Sequence, residues 1–436
     1  MTAGVGRGPV NATNRVVKDM GMADRRTFLQ YTVAGVAIAS TTNIVLGVGR
    51  NEATDVSGTD SIQVNVDVLV IGGGTAGTIA AIQAGRLGAK TLLVERNSQL
   101  GGAMTTGGVA FPGLFDAWGK QVIAGIGWEL VRESVELDGG TFPDFKKVPK
   151  RHWQNQVYTN QFLYVLLAEE KCEQAGVQIA YYEFPEAIRK TLDGWQVDCV
   201  GFGTRRRVLC KQIIDCTGGA EVVGMLKLPR LRDKETQPGS MLFKIGSGHK
   251  PGTEQIHRLY VHGADSSSAA TVTAANLAGR RDILKKVRAS KKKLMHLQPE
   301  TAFRESYRIV GETMVTHEDY TSGRRFDDAI SYAFYPVDLH TRSGVRPKPL
   351  APDTVPTIPL SALVPKDSRN ILVAGRSVSS DRLANSALRV QAPCMAMGQA
   401  AGVAAALAAQ QQTTPLSVSL EEIKRTLRAH NAIVPG

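Results

Sequence analysis

The sequence contains little cysteine and no pattern that would gather the cysteines into a site. Its five cysteines are odd in number, and none belongs to a CxxC pair. This argues against a disulfide framework and against a zinc or iron–sulfur site built from thiolates. Cys199 and Cys210 flank a predicted hairpin, where they either meet or remain two buried thiols. We therefore predict a fold that does not depend on oxidation, and no metal site.

A charge pattern typical of nucleic-acid binding is also missing, although the net charge is +12. The densest basic runs are residues 205–207 and 280–293. In the second run, Ile283, Leu284 and Val287 recur at helical intervals, which indicates a solvated helix face. With 43% hydrophobic and 21% charged residues, the composition is that of a globular protein. We predict no nucleic-acid partner.

Long apolar runs are scarce, and the one near the N-terminus resembles part of a targeting signal. Arg25 and Arg26 precede a Phe-Leu pair and a moderately apolar stretch over residues 31–48. This order resembles a twin-arginine export signal, read by the twin-arginine export machinery. Polar residues 41–43 make the stretch a poor membrane span. We assign residues 1–60 to signal and linker, and predict a periplasmic or exported protein without a stable membrane span in the mature chain.

Two alternatives to export stay open at this point. The apolar stretch is either removed as a signal or kept as an uncleaved anchor. The arginine pair is otherwise incidental, and the protein is then cytoplasmic.

The strongest feature that is present is a glycine-rich loop between a strand and a helix. A β-branched run over residues 64–71 predicts a strand, and Gly72, Gly74 and Gly77 follow it as GxGxxG. An alanine-rich helix then begins, and the next predicted strand ends at Glu95. In this context the motif predicts a dinucleotide-binding unit, with Glu95 accepting hydrogen bonds from the adenosine ribose.

Each residue of the loop has a physical task. Gly72 permits the tight turn, Gly74 lets the backbone approach a pyrophosphate, and Gly77 lets helix and strand pack closely. Thr75 and Ala76 begin the helix, whose N-terminal amides face the phosphate charge.

A second glycine motif, at residues 201–206, has predicted strands on both sides and no helix after it. It is therefore interpreted as a hairpin tip. Without a second dinucleotide fingerprint we expect no dedicated NAD(P)H site, so the reducing equivalents should come from an organic substrate.

Three further segments contain glycines or helix starts that a simple NAD domain does not need. Glycines after Glu95 would let backbone lie against a large flat ligand, and two later strands end in glycine turns. The last turn is followed by an alanine-rich helix that extends to about residue 410. The residues singled out in these segments are Gly101, Gly102, Thr217, Gly218, Gly375, Arg376, Arg389 and Gln391.

Together with the first loop, these segments resemble the FAD-dependent oxidoreductase family of the glutathione-reductase-type fold, whose relatives include fumarate reductase flavoprotein subunits and thiazole-forming enzymes. The resemblance covers residues 64–410. It implies an α/β fold, with a Rossmann-like FAD-binding domain built on a parallel sheet and an inserted β-rich substrate domain. The predicted parts are residues 61–221 and 361–436 for FAD binding, and residues 222–360 for the substrate domain.

The resemblance also implies FAD as cofactor. It surrounds FAD with Gly72, Gly74, Gly77, Glu95, Arg96, Gly101, Gly102, Thr217 and Gly218. It further implies that the C-terminal helix points its N-terminus at the flavin, where a positive helix end stabilises the reduced anion. One departure from the family concerns Arg376, because many members carry an acidic residue there to hold the ribityl chain. Either Arg376 binds flavin or substrate directly, or that contact is lost.

Candidate catalytic residues lie between the flavin segments. Arg304 and Arg308 share a face if the segment is helical, and then either clamp a carboxylate or sugar hydroxyls or form surface ion pairs. Asp338 and His340 share a face if the segment is a strand. A histidine oriented by a carboxylate is suited to take a proton while hydride leaves for the flavin. The alternative is an edge strand with a polar face. Arg389, just before the C-terminal helix, is the arginine we most expect to contact flavin or substrate.

The sequence thus predicts an FAD-dependent dehydrogenase or oxidase with a small-molecule substrate. A polyol, sugar or hydroxy acid would give hydride to flavin N5, and a diffusible or respiratory electron acceptor of unknown identity would reoxidise the flavin. One alternative is a reductase or desaturase acting on a C–C double bond. The other is a flavin-carrying electron-transfer subunit without small-molecule chemistry.

Overall fold

The computed structural model describes residues 61–246, 255–345 and 347–436. The predicted export signal lies outside the described residues and stays a prediction. In the described residues the strands are, in chain order, β1 (Ser61–Ile71), β2 (Thr91–Glu95), β3 (Asp116–Ala117), β4 (Lys120–Gln121), β5 (Gln178–Tyr181), β6 (Phe184–Lys190), β7 (Trp195–Gly201), β8 (Thr204–Asp215), β9 (Arg230–Leu231), β10 (Gly239–Gly246), β11 (Gln255–Val261), β12 (Lys293–Leu297), β13 (Arg308–Ile309), β14 (Ala329–Tyr332), β15 (His340–Thr341), β16 (Gly344–Val345), β17 (Thr357–Pro359) and β18 (Ile371–Val373).

The helices of the same residues are α1 (Thr75–Arg86), α2 (Ile126–Leu137), α3 (Gln161–Gln174), α4 (Glu221–Met225), α5 (Ala269–Ala289), α6 (His317–Ser322), α7 (Arg382–Leu388), α8 (Gln391–Gln410) and α9 (Leu420–Ala429). Short 3-10 turns occupy His152–Asn155, Leu360–Leu363 and Pro415–Ser417.

The main sheet has seven strands in the order β5-β2-β1-β8-β7-β6, with β18 also paired to β8. Strands β5, β2, β1, β8 and β18 are parallel, while β6 and β7 form antiparallel pairs with each other and with β8. The carboxyl ends of parallel strands meet at one edge of a sheet, where such folds bind ligands. The predicted parallel α/β sheet is confirmed, and so is the hairpin tip between β7 and β8.

The predicted insert, residues 222–360, is mixed in secondary structure but rich in strands. An antiparallel sheet of order β11-β10-β12 packs against α5, and short two-stranded ladders join β9 to β13, β14 to β17 and β15 to β16. The basic residues of α5 are mostly exposed, as the helical spacing predicted. Strand β18 of the last predicted FAD-binding part pairs with β8 of the first. The exact domain boundaries stay a prediction.

All five cysteines are free thiols and are buried. Cys199 and Cys210 are paired with Arg206 and Trp195 in the β7–β8 ladder, so they do not face each other across the hairpin. The expectation of two separate buried thiols is therefore confirmed.

Helix α8 lies at the centre of the molecule. Among the described residues it is the one helix long and apolar enough to cross a membrane, yet nearly all of it is buried inside the fold. It packs on α1 so closely that a Cβ added to Gly398 would lie 2.2 Å from the carbonyl oxygen of Ala76. The packing of α8 therefore sets the position of the residues that begin α1.

We expect Gly398→Ala to lower the free energy of unfolding by about 1–3 kcal/mol, since overpacking outweighs the gain in helix propensity. Gly279→Ala in α5 is the matched control. There the new Cβ would meet Val261 and Met241 side-chain atoms at 3.0 and 3.1 Å, and methionine adapts easily. Denaturant unfolding of both variants checks this. Equal stability of the two variants would show that the contact between α1 and α8 has room to relax.

Candidate active site

A cleft of about 890 Å³ begins at the loop after β1 and extends to the segment that carries Asp338 and His340. Its size is in the range of cofactor and substrate pockets. The predicted residues that line it are Gly72, Gly74, Thr75, Ala76, Glu95, Arg96, Gly102, Thr217, Gly218, Arg304, Asp338, His340, Gly375, Arg376, Arg389 and Gln391. Most of the sequence-predicted site thus surrounds one cavity.

Three predicted residues lie behind the wall of the cleft. A Cβ on Gly77 would be 1.8 Å from the carbonyl oxygen of Gly72, so Gly77 serves the close packing predicted for it. Gly101 does not line the cleft but binds the loop after β1, because its amide donates to the Gly73 carbonyl oxygen at 2.8 Å. Arg308 is buried elsewhere and is considered below.

The glycines of the loop after β1 show whether a dinucleotide would fit against it. Gly72 has a φ of +99°, and its Cβ would clash with the Cys216 carbonyl oxygen at 2.5 Å, so the fold itself requires glycine there. Gly74 is different. Its φ of −69° suits any residue, and a Cβ would meet no protein atom within 4 Å. The protein alone does not need glycine at Gly74, whereas a ligand lying against the backbone does.

Two helix N-termini reach the cleft without a side-chain cap. Gly74 caps α1 and Val390 caps α8, and neither supplies a side-chain hydrogen bond to the helix. Uncapped N-termini leave amides and positive dipole ends available to an anion. At the start of α8, Gln391 donates to the Val109 carbonyl oxygen at 2.9 Å, while its Oε1 is buried and has no partner among the described residues.

Glu95 ties the loop to β2. Its Oε2 accepts from the Gly73 amide at 2.6 Å, and its Oε1 accepts from the Asn97 amide at 2.8 Å. Burial raises the pKa of Glu95 above its ordinary value, although both amide bonds act against this shift. Each carboxylate oxygen keeps a second acceptor direction, so holding the loop leaves the predicted ribose contact available.

The Thr217–Gly218 turn is organised by Asp215, a residue whose role the sequence did not reveal. One oxygen of Asp215 accepts from the amide and hydroxyl of Thr217 at 3.0 and 2.7 Å, and the other accepts from the Val222 amide at 3.0 Å. Burial raises the pKa of Asp215 to about 6. The carboxylate therefore fixes the turn and the start of α4 together.

Asp338 and His340 meet at the far part of the cleft. His340 Nε2 lies 3.0 Å from Asp338 Oδ2, and His340 Nδ1 is buried without a partner among the described residues. Burial lowers the pKa of His340 below its ordinary value, against the opposing hydrogen bond to Asp338. Burial alone would raise the pKa of Asp338, but its hydrogen bond to His340 and the charges of His340 and Arg389 lower it overall. At neutral pH both pKa directions favour a neutral imidazole beside an ionised carboxylate.

Gln237 holds this pair in place. Its Oε1 accepts from the His340 amide at 3.0 Å and from Arg389 Nη2 at 3.1 Å. Its own side-chain amide donates to Glu305 at 2.8 Å. Arg389 also donates to the Asp338 carbonyl oxygen at 3.2 Å. The sequence offered no pattern that singled out Gln237, because its partners are 68 to 152 residues away.

A model of the family described as FAD dependent oxidoreductase matches residues 67–290 and 257–427. The chain belongs to this family. The cofactor is therefore FAD, the enzyme is an FAD-dependent oxidoreductase, and the glycine loop, helix ends and Glu95 fit that cofactor.

Solved structures with a similar fold include a flavoprotein/dehydrogenase from Cytophaga hutchinsonii, at 14% identity over 84% of each chain and a TM-score of 0.43. The anhydrotetracycline hydroxylase OxyS from Streptomyces rimosus matches at 13% identity over 78% of this chain, with a TM-score of 0.43. This chain spans 62% of the length of OxyS. A geranylgeranyl bacteriochlorophyll reductase-like protein from Thermoplasma acidophilum matches at 11% identity over 84% of this chain and 83% of its own, with a TM-score of 0.42. Matches this distant carry no information on substrate.

Arg304 and Arg308 of this oxidoreductase would share a face only in a helix, and the segment that contains them is not helical. The segment is irregular and ends in β13, so the two side chains part. Arg304 reaches the cleft, where it donates to the Pro238 carbonyl oxygen and, at 3.0 Å, to Ser240 Oγ. Arg308 instead pairs with Asp233 at 2.8 Å outside the cleft. Helical spacing failed because strand pairing to β9 fixes the backbone here.

The strand predicted for residues 335–340 is mostly wrong as well. Only His340 belongs to a strand, and Val337 makes a single bridge to Lys348. The contact between Asp338 and His340 nevertheless forms, with Asp338 Oδ2 and His340 Nε2 3.0 Å apart.

Arg376 holds the wall of the cleft through neutral partners. It donates to the carbonyl oxygens of Gly218 at 2.6 Å and Phe303 at 2.8 Å, and to Ser266 Oγ at 3.2 Å. Burial, and then the charge of Arg96, lower the pKa of Arg376 to about 10. The arginine thus joins the Thr217–Gly218 turn to the insert, and it is one of the residues that line the cleft.

Strand β11 contributes residues that the sequence reasoning missed. Ile256, Arg258 and Tyr260 all line the cleft. They alternate along the strand, so the period-two pattern carried the signal. His152, Trp153 and Tyr158 also line the cleft.

Proposed function

We propose that this FAD-dependent oxidoreductase dehydrogenates an alcohol carbon of a small organic donor, namely a polyol, sugar or hydroxy acid. A diffusible or respiratory acceptor completes the cycle. The observation that carries the proposal is the pair formed by His340 Nε2 and Asp338 Oδ2, 3.0 Å apart, on the wall of the same cleft that begins at the glycine loop.

The first part of the cleft supplies the residues that would hold the cofactor. Gly74 and Thr75 at the start of α1 would face the diphosphate, and Glu95 would accept from a ribose hydroxyl. Gln391, at the start of α8, has an oxygen without a partner among the described residues. Bound FAD supplies the two-electron oxidant that accepts hydride from the donor carbon.

His340 acts as the proton acceptor in this proposal. With Nε2–H donated to Asp338, the lone pair remains on Nδ1, and the carboxylate stabilises the imidazolium formed when Nδ1 takes the hydroxyl proton. Nδ1 is shielded in the structure, so a hydroxyl reaches it only when a neighbouring side chain shifts. Tyr260 is a neighbour of this imidazole, with its ring centroid 5.7 Å from that of His340.

The pH dependence follows from the direction of the His340 pKa shift. A protonated His340 accepts no proton, so kcat/KM should fall as the pH drops through its pKa. Because burial lowers that pKa, the acid limb should lie below the value of about 6.5 typical of a free imidazole. Initial rates measured against pH at low donor concentration check this. An acid limb clearly above that value would contradict the assignment of His340.

Anaerobic reduction of the purified flavoprotein by a panel of metabolites tests the proposal. Bleaching by polyols, sugars or hydroxy acids supports it. If no alcohol bleaches the flavin but a reduced partner protein does, the electron-transfer alternative replaces it. If no alcohol bleaches the flavin, and an activated alkene reoxidises the chemically reduced enzyme, the reductase alternative replaces the proposed function.

A further inference from the structure

Three arginines, Arg258, Arg304 and Arg389, line the same cleft as the Asp338–His340 pair, and Arg258 is exposed in it. Arg304 donates to a carbonyl and a hydroxyl oxygen, and Arg389 donates to an amide oxygen and a carbonyl oxygen. Arg258 stands over the Phe111 ring, 5.5 Å from its centroid. Among the described residues none of the three arginines forms an ion pair, so their positive charges face the cleft without a dedicated anion.

The negative charges of the cleft are mostly engaged elsewhere. Four carboxylates that line it belong to its other parts. Glu95 binds the loop amides, Glu221 pairs with Arg96 at 3.2 Å and Glu183 pairs with Arg206 at 2.8 Å, while the charge of Glu300 acts on Glu95 and Arg376.

Among the described residues that leaves Asp338 as the carboxylate of the cleft wall near Arg304 and Arg389, and its Oδ2 is bonded to His340. Glu305, whose charge also opposes the lowering of the Arg389 pKa by burial, does not line the cleft and pairs with Arg382 at 2.8 Å. Burial lowers the pKa of Arg304 to about 9, and the charge of Arg389 is the next cause. The like charges of Arg304 and Arg389 are thus held together in a desolvated part of the wall, an arrangement that an incoming anion relieves.

We propose that Arg258, Arg304 and Arg389 bind the carboxylate of the donor, so that the substrate class is a hydroxy acid rather than a neutral polyol or sugar. The inference rests on the proposed function and narrows it. Guanidinium groups match the planar carboxylate in shape and charge. Arg389 donates to the backbone of Asp338, so the positive charge lies beside the proton acceptor. The carboxylate of the donor must therefore be close to the carbon that reacts.

The reaction balances with the groups available. The hydroxyl proton of the hydroxy acid goes to His340 Nδ1, and the C–H hydrogen leaves with its electron pair for the enzyme-bound oxidant. The carbinol becomes a carbonyl. The carboxylate keeps its charge, so the product is a keto acid that the same arginines hold.

Matched donors test this on the FAD-loaded full chain. Lactate is compared with lactamide and propane-1,2-diol, and gluconate with glucose and sorbitol, as anaerobic reductants of the flavin. We expect at least one acid to reduce the flavin faster than its neutral partners. Neutral partners that react as fast as the acids would overturn the inference and leave the proposed function standing. A panel in which no alcohol reacts would overturn the proposed function itself.

Binding without turnover provides an independent arm. Oxalate should perturb the flavin absorption spectrum at concentrations where oxamide does not, and sulfate should not compete with it. Arg304→Met and Arg258→Met should each weaken oxalate binding about 10- to 100-fold, the range for a hydrogen bond to a charged group. Arg281→Met, an exposed position on α5, should leave it unchanged. Because Arg258 donates no hydrogen bond to a described residue, its variant should fold normally.

Oxalate binding that is lost in both cleft variants supports the arginine set even if no donor in the panel reacts. Equal binding of oxalate and oxamide, or of oxalate and sulfate, would overturn the carboxylate assignment. Oxalate binding that is indifferent to both arginines would overturn it as well.

Discussion

Gly74→Asp should give a protein that folds as stably as the parent when both lack cofactor, but that is colourless when purified. Gly74 is the N-cap of α1, with β-region backbone and open space where a Cβ would point. Asp is a preferred N-cap residue, so the cofactor-free protein should change by only a few tenths of a kcal/mol. The same carboxylate would lie where the backbone approaches the pyrophosphate. Two like charges about 4 Å apart near a protein surface repel by about 4 kcal/mol, roughly a thousand-fold in Kd.

Gly74→Asn separates charge from size, since the two side chains have nearly the same shape. We expect Asn to weaken FAD binding less than Asp does. Thermal unfolding of the cofactor-free proteins and titration with FAD give both quantities. An Asp variant that is purified with a full complement of FAD would show that no phosphate lies at Gly74, whatever binds in the rest of the cleft.

His340→Gln should lower kcat/KM for the preferred donor by about 10²- to 10⁴-fold while FAD remains bound, because general-base catalysis contributes on that scale. Glutamine keeps a polar group near Asp338 but accepts no proton at neutral pH. Asp338→Asn should cause a smaller loss, since the imidazole remains but loses the partner that orients it and stabilises its charge. Stopped-flow reduction of the flavin under anaerobic conditions measures the step directly.

The matched control is His262→Gln, an exposed histidine just after β11 that does not line the cleft. It should leave the rate of flavin reduction unchanged. A His340→Gln enzyme that reduces its flavin at the parental rate would remove the proton acceptor from the proposed function. The acid limb of the pH profile should then persist in the variant, which is a second check.

The sequence predicted the phosphate loop well because its signals are local. A β-branched strand, a GxGxxG turn and an alanine-rich helix follow one another within about two dozen residues. The structure gives a steric reason for Gly72 and Gly77, and it leaves open space at Gly74, where the cofactor is expected. The glycine turns after β8 and β18 were found for the same reason. Their convergence on one cleft follows from the parallel sheet, whose carboxyl edge gathers them.

The substrate side was predicted less well because distant residues decide it. Arg304 and Arg308 are four apart, but pairing of β13 with β9 sends Arg308 to Asp233 and leaves Arg304 in the cleft. Gln237 positions His340 across about a hundred residues of chain. Such contacts leave no periodic trace in a single sequence. The alternation of residues in β11 is such a periodic trace, and it would have revealed Arg258 as a residue of the cleft.

The flavin content of the purified protein tests the central claim most directly. The full chain, expressed with ample riboflavin and purified gently, should carry one FAD for each chain, released on denaturation and identified by chromatography. FAD has both the diphosphate that the loop at Gly74 fits and the flat ring that the rest of the cleft accommodates. A protein that is purified colourless and takes up no added FAD would contradict the account, and one that binds only FMN would contradict the diphosphate contact at Gly74.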